Sequence, residues 1–173
     1  LGQGLSVAAG LAEAARLDKN PRRVYCIVGD GEAREGQVAE ALDYIVEQRL
    51  NKVLPIFNCN GFGQAGRVSD QQSPERLAAK LSAYGLEVTR IDGHNPAEIR
   101  AAFEAFAARD EDAEAPPMAV VATTQKGWGS PTLQTGNWHG KPVTGDSLAR
   151  VNEELDQRRI ELTSSLVQSD QFM

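Results

Sequence analysis

Cysteine is scarce in this chain: Cys26 and Cys59 are the only two in 173 residues, and they form no C-x-x-C pair. A disulfide framework and a cysteine zinc site are both excluded, which leaves two reduced thiols. Also missing is any Lys/Arg run, with 18 basic against 24 acidic residues and a formal charge of -6. A surface built to neutralise a nucleic-acid backbone is therefore not expected. No apolar stretch approaches the ~20 residues needed to cross a bilayer, and no charged-then-apolar leader precedes the first helical pattern. The expectation is a cytoplasmic protein with no membrane partner. No G-x-G-x-x-G follows the first predicted strand and no G-K-[ST] occurs anywhere, which argues against dinucleotide and P-loop binding. There is no internal repeat, and the chain starts at Leu1 inside a Gly-rich phrase, as a cropped sequence would.

What is present is ordinary globular composition, 41% apolar and 24% charged, at a length suited to one compact domain. Helical and extended patterns alternate along it. Leu5, Ala8, Ala12 and Ala15 have helical spacing among so many small residues that this helix is expected to be buried on several sides. Val24 to Val28 is a strand expected to be covered on both faces. Val38, Ala41, Leu42 and Ile45 mark a helix, and Val53 to Phe57 a second strand. After a Gly-rich loop from Asn58 to Gly66, Ser73-Pro74 signals a helix start, with Leu77, Leu81 and Tyr84 facing inward. Leu86 to Ile91 is the third strand. Asn95-Pro96-Ala97-Glu98 opens a helix with a capping-box pattern and an apolar face of Ile99, Ala102, Phe103 and Phe106. A solvated turn over 110–115 leads to the fourth strand, Met118 to Thr124. Parallel strands joined by helices predict an α/β fold, a doubly wound, mostly parallel sheet flanked by helices.

Beyond Gln125, seven glycines and prolines between Gly127 and Gly145 predict a long segment with no regular element. Such a segment inside a compact domain tends to be functional, so Trp128, Trp138 and His139 become binding-site candidates. Leu148, Val151 and Leu155 mark a closing helix. The domain is expected to cover 1–160, with 161–173 a loosely held tail or linker.

Chemistry is suggested first by Gly29-Asp30-Gly31 at a strand end, where ligands of open α/β sheets bind. Alone it is a weak signal, since Asp and Gly are ordinary turn residues. Asn60 follows Asp30 by thirty residues, at the end of the next strand, so a carboxylate and a carboxamide oxygen reach one edge of the sheet. Both are hard ligands of the kind that hold magnesium together with phosphate oxygens. Gly29, Gly31, Gly61 and Gly63 would let backbone groups approach a phosphate or metal closely.

These residues resemble the Gly-Asp-Gly to Asn motif of thiamine-diphosphate enzymes. Leu1-Gly2-Gln3-Gly4, Gly29-Asp30-Gly31-Glu32 through Glu35-Gly36, Ile91-Asp92-Gly93-His94 and His139-Gly140 also stand in the order seen in transketolases. The likeness spans residues 1 to about 155. It implies a domain, lacking its N-terminal part, that binds thiamine diphosphate and Mg2+ (or Ca2+) and belongs to a transferase of the pentose phosphate pathway, moving a two-carbon ketol unit between sugar phosphates. By the resemblance Asp30, Asn60 and the main-chain carbonyl of Phe62 would bind the metal. Gly29, Gly31 and Asn60 would line the diphosphate, and Leu1 would lie against the thiazolium ring. His139 would sit beside the diphosphate and the reacting carbonyl, and Glu35 would join a carboxylate network between the cofactor sites of a dimer. Glu35 is equally well explained as an acid at a helix N-terminus.

Two departures stand out: Cys59 replaces an acidic residue common before the asparagine, and Gly61-Phe62-Gly63-Gln64-Ala65-Gly66 replaces a more usual isoleucine-rich stretch. The activating glutamate of the family lies on a pyrimidine-binding domain or subunit that 173 residues do not include, so a homo- or hetero-oligomer is implied. Another thiamine-diphosphate enzyme, such as a deoxyxylulose-phosphate synthase or an oxo-acid dehydrogenase component, is the runner-up. A catalytically silent transketolase-like subunit is the alternative of a different class. His94, the tryptophans and Cys59 are read as structural.

Overall fold

A computed structural model describes residues 1–109, 114–136 and 138–170, with side chains as far as 164. The chain divides into two compact units, Leu1–Thr124 and Gln125–Met173.

The first unit holds helix α1 (Gln3–Leu17), strand β1 (Val24–Gly29), helix α2 (Gly36–Glu47), strand β2 (Val53–Cys59), helix α3 (Pro74–Tyr84), strand β3 (Glu87–Asp92), helix α4 (Pro96–Ala108) and strand β4 (Met118–Thr123). All pairings are parallel and the strand order is β1-β2-β4-β3. The central strands β2 and β4 are almost wholly buried, as their unbroken apolar runs require. Each fully buried Val, Leu or Phe there is worth roughly 1.5–3 kcal/mol. One face packs Cys26, Val28, Phe57, Ala119 and Val121 against the buried sides of α1, α2 and α3. The opposite face packs Leu54, Met118, Val120 and Ala122 against Ala102 and Phe106 of α4. Helices on both faces of a parallel sheet give the α/β architecture expected from the alternation.

Local signals fix the helix ends. Ser73 Oγ accepts from the Arg76 amide at the start of α3, and Asn95 Oδ1 accepts from Ala97 N at the start of α4. Glu98 departs from the usual box: its carboxylate accepts from Asp92 N at 2.7 Å and from the Asn95 side chain, binding α4 to the end of β3.

Three expectations change. Helix α1 buries one face only, through Leu5, Ala8, Ala9, Ala12 and Ala15, while Val7 and Leu11 are exposed. Strand β1 is an edge strand with alternating burial, so Ile27 is 71% exposed although Cys26 and Val28 are in the core. Phe103 is partly exposed, its ring 5.4 Å from that of Tyr25. The turn expected over 110–115 lies mostly outside the described residues. Its Glu114 pairs with Arg49 across 3.2 Å.

The second unit contains a short helix, α5 (Pro131–Gln134), and a 25-residue helix, α6 (Asp146–Asp170). The Gly-rich segment thus does hold a regular element: Ser130 is fully buried, accepts from Leu133 N and precedes Pro131, the same start signal as Ser73-Pro74. Helix α6 continues past residue 160 as far as Asp170. Among the described residues, no helix is long and apolar enough to cross a membrane.

Candidate functional site

Parallel register carries β1 and β2 to a common edge. Gly29 pairs with Asn58, and the amide of Asp30 continues the ladder by donating to Asn58 O at 3.2 Å. Asp30 therefore leaves β1 one residue beyond its last pair, and Asn60 leaves β2 one residue beyond Cys59. A hydrogen bond ties the two tips: Asp30 Oδ2 accepts from the amide of Gly61, next to Asn60, at 2.6 Å. Asp30 Oδ1 accepts from Gly31 N at 2.7 Å. Asn60 Oδ1 accepts from Phe62 N at 2.9 Å, closing an Asx turn that starts the following loop.

That loop folds back on itself. Gly63 N donates to Gly66 O at 2.7 Å, Val68 N donates to Gly61 O at 3.0 Å, and Phe62 bridges to Arg67, whose guanidinium lies 5.0 Å from the Phe62 ring centre. Gly61 has φ +76, the left-handed region that suits glycine. A β-carbon on Gly31 would stand 3.3 Å from Gly63 Cα, so the Gly29-Asp30-Gly31 tip and the Asn60–Gly63 loop touch along their backbones.

Asp30 is 1% exposed and makes no ion pair with any described residue. A carboxylate taken out of water without a cation is costly, and two backbone N–H groups fill only about half of its roughly four acceptor positions. The half-buried Asn60 carboxamide oxygen likewise has capacity beyond its single accepted bond. A hard, incompletely coordinated oxygen pair of this kind fits Mg2+ or Ca2+, whose shell a phosphate and water complete. Among the described residues no cluster of three His, Cys, Asp or Glu side chains offers a self-sufficient metal cage. Cys59, 3% exposed, has its thiol pushed up to about 12, by burial first and by the Asp30 charge second. It is a neutral wall residue.

The remaining candidates are distributed around this tip or in the second unit. Leu1 is 78% exposed, its carbonyl accepting from Gln37 Nε2 at 2.7 Å. Glu35 stands at the N-cap of α2, exposed, with no side-chain capping bond, so the helix-end explanation of this acid gains no hydrogen bond. His139 belongs to the second unit, where it is exposed and its Nδ1 lies 3.4 Å from Lys126 Nζ. In that unit the Glu154 carboxylate holds the segment leading to His139: it accepts from the Ser130 hydroxyl, Thr132 N at 3.1 Å and Thr132 Oγ1 at 2.8 Å. Trp138 Nε1 donates to Thr132 O and Thr135 O, and Trp128 lies under the Arg158 guanidinium at 4.9 Å. The tryptophans thus anchor the loop.

The family model for the transketolase thiamine-diphosphate-binding domain matches residues 1–162. The chain belongs to that family. Transketolase-like protein 2 of Bos taurus is 36% identical over 145 residues, covering 83% of this chain and 22% of the relative. Human transketolase is 32% identical over 157 residues, covering 90% and 24%. A crystal structure of transketolase from Campylobacter jejuni superposes with a TM-score of 0.72 at 22% identity, covering 90% of this chain and 25% of that one, and supports the fold. The chain thus spans about a quarter of the length of the transketolases it matches.

Sequence reasoning gave no role to Glu32 beside the tip, nor to Lys126 beside His139 in the second unit. Glu32 lies in the 3-10 turn Glu32–Arg34 and accepts from two backbone amides, the distant Gly2 and the nearby Gly29. Its signal was its place two residues after Asp30, but nothing in the sequence discloses which amides it reaches.

Proposed function

We propose that this chain is the thiamine-diphosphate- and magnesium-binding part of a transketolase, acting with a pyrimidine-binding domain or subunit supplied elsewhere to move a two-carbon ketol unit between sugar phosphates. The observation that carries the proposal is the buried Asp30 carboxylate joined to the Asn60 turn by the 2.6 Å bond to Gly61 N. Asp30 and Asn60 would hold the metal through side-chain oxygens and Phe62 through its carbonyl, and the metal would neutralise the charge of the diphosphate there. Gly29 and Gly31 keep the tip narrow enough for the diphosphate to approach the backbone. When bound, the cofactor supplies the nucleophilic carbon that ketol transfer requires.

The protein's share is binding, orientation and charge. Leu1 offers an exposed apolar side chain on a backbone fixed by Gln37, suited to the face of an apolar ring. His139 is a hydrogen-bond donor for a substrate oxygen on which negative charge builds. The Lys126 ammonium beside it adds positive potential for a phosphorylated substrate. Glu35 is exposed and makes no side-chain capping bond to α2, a position from which it would face a second subunit as a shared carboxylate network needs. The assembly is a homo- or hetero-oligomer, and a cytoplasmic place suits sugar-phosphate substrates.

The reading is tested by assaying ketol transfer from xylulose 5-phosphate with the chain alone, with a pyrimidine-binding partner, and with that partner plus His139→Ala. Transfer only in the presence of the partner, lost in the variant, is the expected pattern. Cofactor binding without transfer in any mixture would instead identify a catalytically silent subunit.

A further inference from the structure

We propose that Glu32 is a positioning residue that sets the distance between the Leu1–Gly2 turn and the Asp30–Asn60 tip, holding the ring-binding and diphosphate-binding halves of the site in one frame. The proposal rests on the cofactor reading above. One oxygen of Glu32 accepts from Gly2 N at 2.7 Å and the other from Gly29 N at 3.2 Å, the residue just before Asp30. A single half-buried carboxylate therefore joins the start of α1 to the end of β1 through two charge-assisted bonds, each roughly twice as strong as a neutral one.

The turn it holds is built for that closeness. Gly2 has φ +80, and a β-carbon there would lie 2.8 Å from Glu35 Cβ and 3.0 Å from Gln37 Cγ. The Leu1 carbonyl is held by Gln37 Nε2 at 2.7 Å. Backbone at Leu1 and Gly2 is thus fixed from Glu32 and Gln37, both following the tip in sequence, while the Leu1 side chain stays 78% exposed. A clamped backbone presenting an uncovered apolar side chain is the arrangement of a contact residue, and preorganisation of this sort raises affinity by cutting the ordering cost of binding. A purely local role, closing the 3-10 turn, would need the bond to Gly29 alone and gives no reason for the shorter bond to Gly2.

The test compares two ligands in magnesium by calorimetric titration of the full chain. Pyrophosphate reaches only the tip, whereas thiamine diphosphate also reaches Leu1. Glu32→Ala and Gln37→Ala are expected to weaken thiamine diphosphate by about tenfold or more, about 1.4 kcal/mol, while pyrophosphate stays within about twofold of the unsubstituted chain. Glu32→Gln falls between, because its amide keeps one acceptor but turns an N–H toward the other donor. Circular dichroism checks that each variant is folded. Equal weakening of both ligands would make Glu32 a mere support of the β1 end, and no weakening of either would remove the role; each overturns the proposal. If the unsubstituted chain binds neither ligand, the cofactor reading itself has failed, an outcome visible before any variant is compared.

Discussion

Gly93 stands where β3 gives way to the turn before α4, and its amide donates to Thr123 O at 2.9 Å. A β-carbon built on it would lie 2.4 Å from Thr124 Cγ2 and 3.3 Å from both Ala122 Cβ and Thr123 O. Carbon atoms pack at about 3.5–4.0 Å, so Gly93→Ala must displace the end of β4 or the Thr124 side chain. Thr124 resists, since its hydroxyl bonds Asn58 Oδ1 at the end of β2, next to the Asp30 tip. Overpacking of this type costs about 1–3 kcal/mol, which for a chain of this size lowers Tm by roughly 2–12 °C. The steric cause is isolated by Thr124→Ser, which removes the obstructing methyl and keeps the hydroxyl. Urea unfolding followed by circular dichroism on the two single variants and the double variant gives a coupling energy, expected at about 1 kcal/mol or more in the direction of rescue. A coupling near zero, with Gly93→Ala still destabilising, would refute the steric argument.

Two further outcomes follow from the same geometry. Hydrogen bonds from Ser130 and Thr132 hold the Glu154 carboxyl below its usual range, Ser130 contributing most and burial opposing. A folded pKa below the unfolded one means stabilisation present above the unfolded value near 4.5 and lost as pH falls through the folded one. Both tryptophans, Trp128 and Trp138, lie in this unit, so tryptophan fluorescence below pH 4.5 is expected to show its loosening. Glu154→Gln should already be loosened at neutral pH and show a flatter acid response; an unaltered acid profile would contradict the assignment. Cys59, with its thiol pushed up to about 12, and Cys26, raised by burial and then by the Glu32 charge, are expected to resist a thiol reagent at pH 8 in the folded chain and react on unfolding. Rapid labelling of either in the native state would count against their buried, inert reading.

Much of the first unit was legible because its signals are local or periodic. Strands β1, β2 and β4 are short apolar runs bounded by turn residues, and Ser73-Pro74 and Asn95-Pro96 mark helix starts that capping bonds bear out. Edge position is not local: the run Val24 to Val28 reads like the run Val53 to Phe57, yet only β2 has neighbours on both sides, which leaves Ile27 exposed. The small residues of α1 suggested burial all round for the same reason, since composition does not say how many layers surround a helix. In the second unit, glycine density obscured Ser130-Pro131, and polar residues beyond Ile160 concealed a helix whose backbone continues regardless. For the candidate site, strand-end placement brought out Asp30 and Asn60. The contacts of Glu32 with Gly2 and of Lys126 with His139 in the second unit are ones that only folding creates.

The central claim is that Asp30 and the Asn60 turn jointly hold a cation that anchors a diphosphate. Calorimetric titration of thiamine diphosphate into the chain, with magnesium and with a chelator, and repeated on Asp30→Ala, tests it most directly. Binding is expected to require magnesium and to weaken by about 100-fold or more in the variant, about 2.7 kcal/mol. Equal affinity in both proteins, or binding indifferent to the chelator, would contradict it.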